Sequence, residues 1–323
     1  MARLPPLATD RIWARETERQ SAGPNSLDPR MTETTIKDVP DTAFMAAAYR
    51  AIESERREAL FRDPLANELA GKRGREIINR LPPQAMMGGW SVIIRTCIID
   101  ELIQQAIAQG VDTILNLGAG LDTRPYRMAL PETLRWIEAD FPHIIEWKRT
   151  QLAQEMPCCQ LERIALDLAD HQARQQLLDD VASRSKNVLV LTEAVTPYLP
   201  ETAVAALGAD LRARAAIKYW IVDYFSPASY EYRRRSGMSR AMKNAPFLFE
   251  PRDYFGFFAA TGWQPKEVKY FAEEAARLRR PAPLPWHVRL ITSMLGILMS
   301  PEKRRAMKQY AGFVLFEPSA EHG

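Results

Sequence analysis

A short apolar segment that ends in two closely spaced glycines is the feature that most constrains how this chain can fold. Ile114 to Leu117 reads as a buried strand, and Gly118-Ala119-Gly120 follows it directly. Without a Cβ atom, glycine lets the backbone of such a turn approach a bound ligand closely. An acid, Asp140, lies about 20 residues beyond the turn and closes a second apolar segment. This spacing is typical of the carboxylate that receives the two ribose hydroxyls in a nucleotide-binding α/β unit.

The glycine fingerprint lacks its third member, because Thr123 stands where G-x-G-x-x-G requires glycine. The pyrophosphate of a dinucleotide depends on a helix N-terminus that this third glycine allows to pack closely. Its replacement favours an adenosine ligand without a pyrophosphate, and S-adenosylmethionine fits that description. The same observation argues against a nicotinamide-dependent oxidoreductase, which is kept as an alternative of a different class.

Strands and helices alternate along the chain after a helical beginning. Helices are predicted over residues 42–62, 65–79 and 90–109, before the first strand. The first five strand candidates are Thr113–Leu117, Leu134–Ala139, Leu161–Leu166, Asn187–Thr192 and Ile217–Tyr224. Two more strands are expected near residues 267–271 and 312–317. This order predicts an α/β fold with a doubly wound, mostly parallel seven-stranded sheet, whose ligands bind at the carboxyl ends of the strands.

The composition is that of a globular protein, with 46% hydrophobic and 26% charged residues. A formal net charge of +3 is nearly balanced and does not indicate nucleic-acid binding. Three cysteines, two of them adjacent at Cys158 and Cys159, form neither a disulfide framework nor a metal-ligand spacing. No apolar run has the length of a membrane span. We therefore predict a cytoplasmic protein without a bound metal and without a nucleic-acid or membrane partner.

The domain organisation is predicted from the distribution of proline and charge. Residues 1–40 are rich in proline and lack apolar periodicity, so they are expected to form a disordered leader, with Met31 as an alternative start. Residues 41–323 are expected to form a single domain. Two segments, at about 225–250 and 272–309, interrupt the alternation and are predicted to form a helical cap on the substrate side.

These motifs are similar to those of a known family. Residues 115–124, Leu-Asn-Leu-Gly-Ala-Gly-Leu-Asp-Thr-Arg, with Arg95-Thr96 and Ile99-Asp100 upstream, resemble the leucine carboxyl methyltransferase family. Within the family, the resemblance is to the bacterial polyketide-type O-methyltransferases. It continues in Ala-Ile-Glu-Ser-Glu-Arg from residue 51, Glu-Ala-Asp-Phe-Pro from 138 and Thr-Glu-Ala-Val-Thr-Pro-Tyr-Leu-Pro from 192. The resemblance implies a class I, Rossmann-like methyltransferase that uses S-adenosylmethionine.

Seven residues make up the predicted cofactor site, and they are Arg95, Gly118, Gly120, Asp140, Asp167, Leu168 and Glu193. The carboxylate of Asp140 suits the ribose diol, because it can accept from both hydroxyls. By resemblance, Glu193 meets the ammonium of the methionine part, Arg95 meets its carboxylate, and Asp167 and Leu168 meet the adenine. Spacing alone leaves a helix-surface role open for Arg95 and strand-end roles open for the acids.

Other charged and aromatic residues near these motifs are assigned to the structure of the turn or to the substrate side, and not to the cofactor. Asp122, Arg124 and Arg127 are interpreted as structural residues that tie the glycine turn to neighbouring acids. Arg50 is the candidate for a cation near the transferred methyl group, with a helix-surface role as the alternative. Tyr198 is the candidate aromatic residue beside the transfer path, with packing as the alternative.

The chemistry of methyl transfer bears on the acceptor. The enzyme has mainly to align the nucleophile, the methyl group and the sulfur, and to exclude water. A carboxylate is already ionised at pH 7, whereas a phenol profits from a general base, and the four histidines form no evident pair with an acid. The predicted function is therefore O-methylation of a carboxylate or phenol on a small, polyketide-like molecule. Methylation of a protein C-terminal carboxylate and a non-catalytic cofactor-binding role are the remaining alternatives.

Overall fold

A computed structural model describes residues 40–81, 86–235, 244–285 and 299–320 of the 323-residue chain. The helices before the first strand are α1 (Pro40–Glu55), α2 (Ala66–Arg80) and α3 (Met86–Ala108). The central elements are β1 (Thr113–Leu117), α4 (Arg124–Arg127), β2 (Arg135–Asp140), α5 (Pro142–Gln151), β3 (Gln160–Ala165), α6 (His171–Ser183), β4 (Val188–Thr192), α7 (Glu201–Arg212) and β5 (Ile217–Phe225). The later elements are α8 (Pro227–Arg235), α9 (Tyr254–Ala260), β6 (Trp263–Tyr270), α10 (Phe271–Arg277), α11 (Pro301–Lys308) and β7 (Ala311–Pro318).

The strands form one seven-stranded sheet in the order β3-β2-β1-β4-β5-β7-β6. Strands β1 to β5 are parallel, and β7 runs antiparallel to both β5 and β6. β1 pairs with β2 on one side and with β4 on the other, so the chain changes its direction of winding between β1 and β4. This change is the point at which α/β sheets bind ligands, beyond the carboxyl ends of the strands. The predicted α/β fold, with a doubly wound and mostly parallel seven-stranded sheet, is confirmed.

The side chains of the central strands β1, β2 and β4 are buried on both faces of the sheet. Leu115 and Val190 belong to a core that includes residues of α6, α7 and α9, whereas Ile114 and Leu189 pack in a core that includes residues of α3. Successive side chains of a strand point to opposite faces, so a strand with helices on both sides must be apolar throughout. This explains the continuous apolar sequences of β1 and β4.

Helix α1 is shorter than predicted, because it ends at Glu55 and not at residue 62. The backbone N–H of Leu60 donates to Oε1 of Glu53, and that of Asp63 donates to Oγ of Ser54, each at 2.8 Å. Such side-chain acceptors offer the backbone an alternative to helical hydrogen bonds. The sequence between α1 and α2 is therefore a loop held by the last turn of α1.

The two predicted cap segments contain helices where the structure describes them. Residues 227–235, within the first of these segments, form α8, and Pro227 at its start suits the first turn of a helix. Residues 1–39, 236–243 and 286–298 lie outside the described residues, so the predicted leader and the full extent of the cap stay predictions. Within the described ranges, no helix is both long and apolar enough to cross a membrane.

Candidate functional site

A cavity of about 590 Å³ opens at the carboxyl ends of β1, β2 and β4, under helix α1. All nine of the predicted site residues line it, namely Arg50, Arg95, Gly118, Gly120, Asp140, Asp167, Leu168, Glu193 and Tyr198. The sheet accounts for this convergence, because Gly118, Asp140 and Glu193 sit at or just after the ends of neighbouring parallel strands. The structure thus brings together residues that are separated by almost 150 positions in the chain.

The glycine turn has a backbone that other residues adopt with difficulty. Gly118 and Gly120 have φ values of 68° and 48°. A Cβ atom on Gly118 would collide with Cγ2 of Val195, and one on Gly120 would lie 3.2 Å from Cβ of Ala43 in α1. Both glycines are therefore needed for conformation and for close packing.

The carboxylate of Asp140 is held against this turn. Its Oδ2 accepts the N–H of Gly120 and its Oδ1 accepts the N–H of Phe141, each at 2.6 Å. Burial raises the pKa of Asp140, and the two backbone hydrogen bonds act in the opposite direction. Each carboxylate oxygen has a further lone pair, so the group can still accept hydrogen bonds from a ligand in the cavity.

Glu193 and Arg95 form a pair on the cavity wall, with Oε1 of Glu193 lying 2.8 Å from Nε of Arg95. Despite this distance, Nε of Arg95 has no well-directed hydrogen-bond acceptor among the described residues. Oε2 of Glu193 accepts from Arg124, also at 2.8 Å. Burial opposes ionisation of Glu193, but the guanidinium groups of Arg124 and Arg95 outweigh it and lower its pKa. The cavity wall therefore presents an ionised carboxylate beside a cation with hydrogen-bonding capacity to spare, which fits the zwitterion of an amino acid.

Arg124 connects three carboxylates around the glycine turn. It donates to Asp100 at 2.7 Å, to Asp122 at 2.9 Å and to Glu193. Arg127 donates to both oxygens of Asp100. The guanidinium of Arg124 lowers the pKa of Asp122 to about 2, although burial acts to raise it. The contacts match the interpretation of Asp122, Arg124 and Arg127 as residues that tie the turn to neighbouring acids, while Asp122 and Arg124 also line the cavity.

Asp167 and Leu168 lie at the rim of the cavity, just after β3. Asp167 is exposed, and its Oδ1 accepts the N–H of Ala169 at 2.9 Å. The carbonyl of Leu168 accepts from Arg174 at 2.6 Å. These bonds hold the turn after β3 in place and leave its inner side facing the cavity.

Arg50 is buried, so the alternative that it is a helix-surface residue is wrong. Its Nε donates to Oδ2 of Asp63 at 2.8 Å, and Nη2 donates to the carbonyl of Leu121 at 2.5 Å. The same Asp63 oxygen accepts from Oγ1 of Thr123 at 2.6 Å. Arg50 therefore joins α1 to the segment after the glycine turn, in addition to lining the cavity.

Tyr198 is half-buried in the short 3-10 turn Thr196–Tyr198 after β4. Its ring meets that of Phe247 edge-on, at 5.4 Å between centroids. Burial raises the pKa of its hydroxyl, which keeps the phenol neutral and able to donate a hydrogen bond. The ring both packs and lines the cavity.

Asp223, near the end of β5, is a polar residue of this region that the sequence reasoning missed. It is buried, and its Oδ2 accepts the N–H of Ala194 at 2.8 Å. Burial raises the pKa of its carboxyl to about 7. A signal was present, because Asp223 interrupts an otherwise apolar strand sequence, Trp-Ile-Val-Asp-Tyr-Phe.

The described residues contain no cluster of side chains that could bind a metal. Over residues 40–81, 86–235, 244–285 and 299–320, no group of three or more His, Cys, Asp or Glu side chains could hold a metal ion. The polar groups of the cavity described above are instead carboxylates, guanidinium groups, backbone N–H groups and a phenol.

Comparison with known proteins agrees with the geometry. The sequence model of the family described as "Leucine carboxyl methyltransferase" matches residues 43–211, just over half of the chain. A "Putative S-adenosyl-L-methionine-dependent methyltransferase" of Streptomyces coelicolor is 32% identical over 263 residues, which cover 76% of this chain and 90% of that protein. A protein of the same description from Streptomyces avermitilis is 33% identical over 262 residues, with 76% and 89% coverage. This chain is therefore a member of the leucine carboxyl methyltransferase family, and it is an S-adenosylmethionine-dependent methyltransferase.

Proposed function

We propose that the enzyme transfers the methyl group of S-adenosylmethionine to an oxygen of a small, polyketide-like acceptor, and that this oxygen belongs to a carboxylate in preference to a phenol. The observation that carries the proposal is the chemistry of the cavity lining. Among the described residues that line the cavity there is no histidine or lysine to serve as a general base, whereas a cation, Arg50, and a phenol, Tyr198, are present. A carboxylate needs no base, because it is already ionised at neutral pH.

In this proposal the cofactor residues have separate tasks. Asp140 accepts from the ribose hydroxyls, Glu193 holds the ammonium and Arg95 holds the carboxylate of the methionine part. Asp167 and Leu168 meet the adenine at the rim. Bound S-adenosylmethionine supplies a methyl group on a positively charged sulfur, which is a good leaving group.

The acceptor side aligns the nucleophile. Arg50 attracts an anionic acceptor, and Tyr198 donates a hydrogen bond that orients the attacking oxygen. The new bond joins this oxygen to the methyl carbon as the bond from carbon to sulfur breaks, and the electron pair of that bond stays on sulfur. An anion and a sulfonium thus become a neutral ester and a neutral thioether, so a cavity that excludes water favours the reaction.

The proposal extends to the setting of the enzyme. Cys97, Cys158 and Cys159 are all free thiols, which suits the reducing cytoplasm. The nearly balanced charge of the chain, +3, supports a small-molecule acceptor without nucleic-acid or membrane partners.

The test is incubation with methyl-labelled S-adenosylmethionine and a panel of aromatic carboxylic acids and phenols, followed by mild base. Methyl esters release labelled methanol under these conditions and methyl ethers do not. We expect base-labile label on a carboxylic acid, and less label with an Asp140→Ala variant at a cofactor concentration that does not saturate it. Base-stable label alone would show that the acceptor is a phenol and not a carboxylate. If a cell extract replaces the panel and base-labile label appears only on intact protein, the result would favour the C-terminal carboxylate of a partner protein.

A further inference from the structure

Asp223 is bonded to a residue in the cavity wall without lining the cavity itself. It follows Val222 directly, and Val222 pairs with Thr192 at the end of the ladder between β4 and β5. The side chain of Asp223 reaches across to the backbone of β4's continuation, where Oδ2 accepts the N–H of Ala194 at 2.8 Å. The carboxyl of Asp223 thus accepts the backbone N–H of Ala194, just beyond the last paired residue of β4.

Ala194 has an unusual backbone conformation. Its φ of 55° is in the left-handed region, and in the described parts of the chain the only other non-glycine residue with positive φ is Arg279. A Cβ atom makes this conformation unfavourable, so it persists only where the surroundings impose it. The hydrogen bond from Ala194 to Asp223 is such a constraint.

The neighbours of Ala194 on both sides belong to the site. Glu193 carries the carboxylate that Arg95 and Arg124 approach, and the side chain of Val195 fills the space above Gly118. Glu193, Ala194 and Val195 all line the cavity. A change of φ at residue 194 would turn the backbone between Glu193 and Val195, and would move one of them relative to the other.

We propose that Asp223 is a positioning residue of the cofactor site, which holds Ala194 in its left-handed conformation and thereby fixes Glu193 and Val195 on the cavity wall. The role does not depend on which acceptor is methylated. It requires a hydrogen-bond acceptor at residue 223, and it does not require a negative charge there. Burial raises the pKa of Asp223 to about 7, which agrees with a group that need not be ionised.

The experiment measures binding of S-adenosylhomocysteine by titration calorimetry to the full-length protein and four variants. Asp223→Asn keeps an acceptor oxygen and should bind within about threefold of the wild type. Asp223→Ala loses the acceptor and should bind about tenfold more weakly, the equivalent of one ordinary hydrogen bond.

The third variant tests the conformation directly. Glycine adopts positive φ about as readily as negative φ, so Ala194→Gly in the Asp223→Ala background should restore affinity to within about threefold of the wild type. Loss of a merely structural contact would not be repaired by removing a methyl group from another residue.

Asp112→Ala is the matched control. Asp112 directly precedes β1, at the amino ends of the parallel strands and so at the opposite end from the cavity. Oδ2 of Asp112 accepts the N–H groups of Lys186 and Asn187, just before β4, at 3.0 and 3.3 Å. This variant should lower the melting temperature and leave the affinity for S-adenosylhomocysteine unchanged.

Two results would overturn the proposal. One is an Asp223→Ala protein that binds as tightly as the wild type, and the other is a loss of affinity that Ala194→Gly does not repair. If Asp223→Ala does not fold, Asp223→Ser, whose hydroxyl is too short to reach Ala194, takes its place under the same criteria. Hydrogen exchange of peptides that contain Ala194 gives a second readout, and faster exchange is expected in every variant that lacks the acceptor.

Discussion

Nε of Arg95 lies 2.8 Å from Oε1 of Glu193, so two side chains predicted to bind opposite charges of one ligand neutralise each other on the cavity wall. An amino-acid zwitterion can bind across such a pair without leaving any charge unmatched, because its ammonium faces the carboxylate and its carboxylate faces the guanidinium. The second oxygen of Glu193 accepts from Arg124. The position of the glutamate therefore does not depend on Arg95 alone.

We expect Arg95→Lys to weaken binding of S-adenosylhomocysteine by about 1.5–3 kcal/mol, the range for losing a hydrogen bond to a charged group. A lysine keeps the charge but cannot replace the forked geometry of a guanidinium. Calorimetry measures the change, and Arg214→Lys is the control, because Arg214 pairs with Asp179 away from the cavity. Equal affinities for Arg95→Lys and the wild type would exclude a direct role of Arg95.

Replacing Asp140 with alanine should weaken binding of the same ligand by about 1.5–3 kcal/mol. The variant loses both the predicted acceptor of the ribose hydroxyls and the bond that holds Gly120. Binding of adenosine, which has the ribose but no amino-acid part, should fall by a similar factor. If only the melting temperature falls, Asp140 serves the turn alone.

Stability should depend on pH through Asp223. Its pKa is raised by burial from 3.8 to about 7 in the folded protein, so between these values the folded state binds more protons than the unfolded state. The stabilisation is therefore complete below pH 4 and is lost as the pH rises through 7, with a slope of at most about 1.4 kcal/mol per pH unit. The difference in unfolding free energy between wild type and Asp223→Asn, measured in urea at pH 5 and pH 7.5, isolates this group. A difference that does not change with pH would contradict the prediction.

Arg50→Ala should destabilise the fold by about 3 kcal/mol, because it leaves the carboxylate of Asp63 buried without its closest cation. The lower end of the usual range applies, since Nε of Arg127 lies 3.9 Å from the same oxygen. A double variant, Arg50→Met with Asp63→Asn, should regain part of the loss, because it buries no unpaired charge. Urea denaturation of the two proteins makes the comparison, and equal destabilisation in both would mean that the ion pair is not the cause.

The sequence predicted those parts of the fold that short segments determine. The bounds of β1 are the predicted ones, because a buried parallel strand is a continuous apolar segment and Gly118 ends it. That Gly118, Asp140 and Glu193 line one cavity could be predicted because each stands at or just after a strand end, and neighbouring parallel strands end on the same side of the sheet. Arg95 lies within α3, and only the family resemblance pointed to it. Helix α1 was predicted too long, since helix propensity does not reveal where Glu53 and Ser54 will capture later N–H groups.

Contacts between residues far apart in the chain could not be predicted from the sequence. The contact between Asp223 and Ala194 joins positions 29 residues apart, and nothing in an alanine indicates a left-handed backbone. The bond between Arg50 and the carbonyl of Leu121 spans 71 residues. Neither pairing has a local pattern, because both depend on which strands and helices become neighbours in the folded sheet.

Helix α1 covers the cavity, yet it precedes every strand of the sheet in the sequence. Its contacts with the site are made to Leu121 and, through Ala43, to Gly120, in a turn that the ribosome adds about 70 residues later. During synthesis α1 therefore cannot dock until β1 and the glycine turn have left the ribosome, because the carbonyl of Leu121 that Arg50 binds does not exist before then. Helix α1, although it is made before every strand of the sheet, is thus docked late, and a nascent chain cannot close the cofactor site before the central strands of the sheet exist.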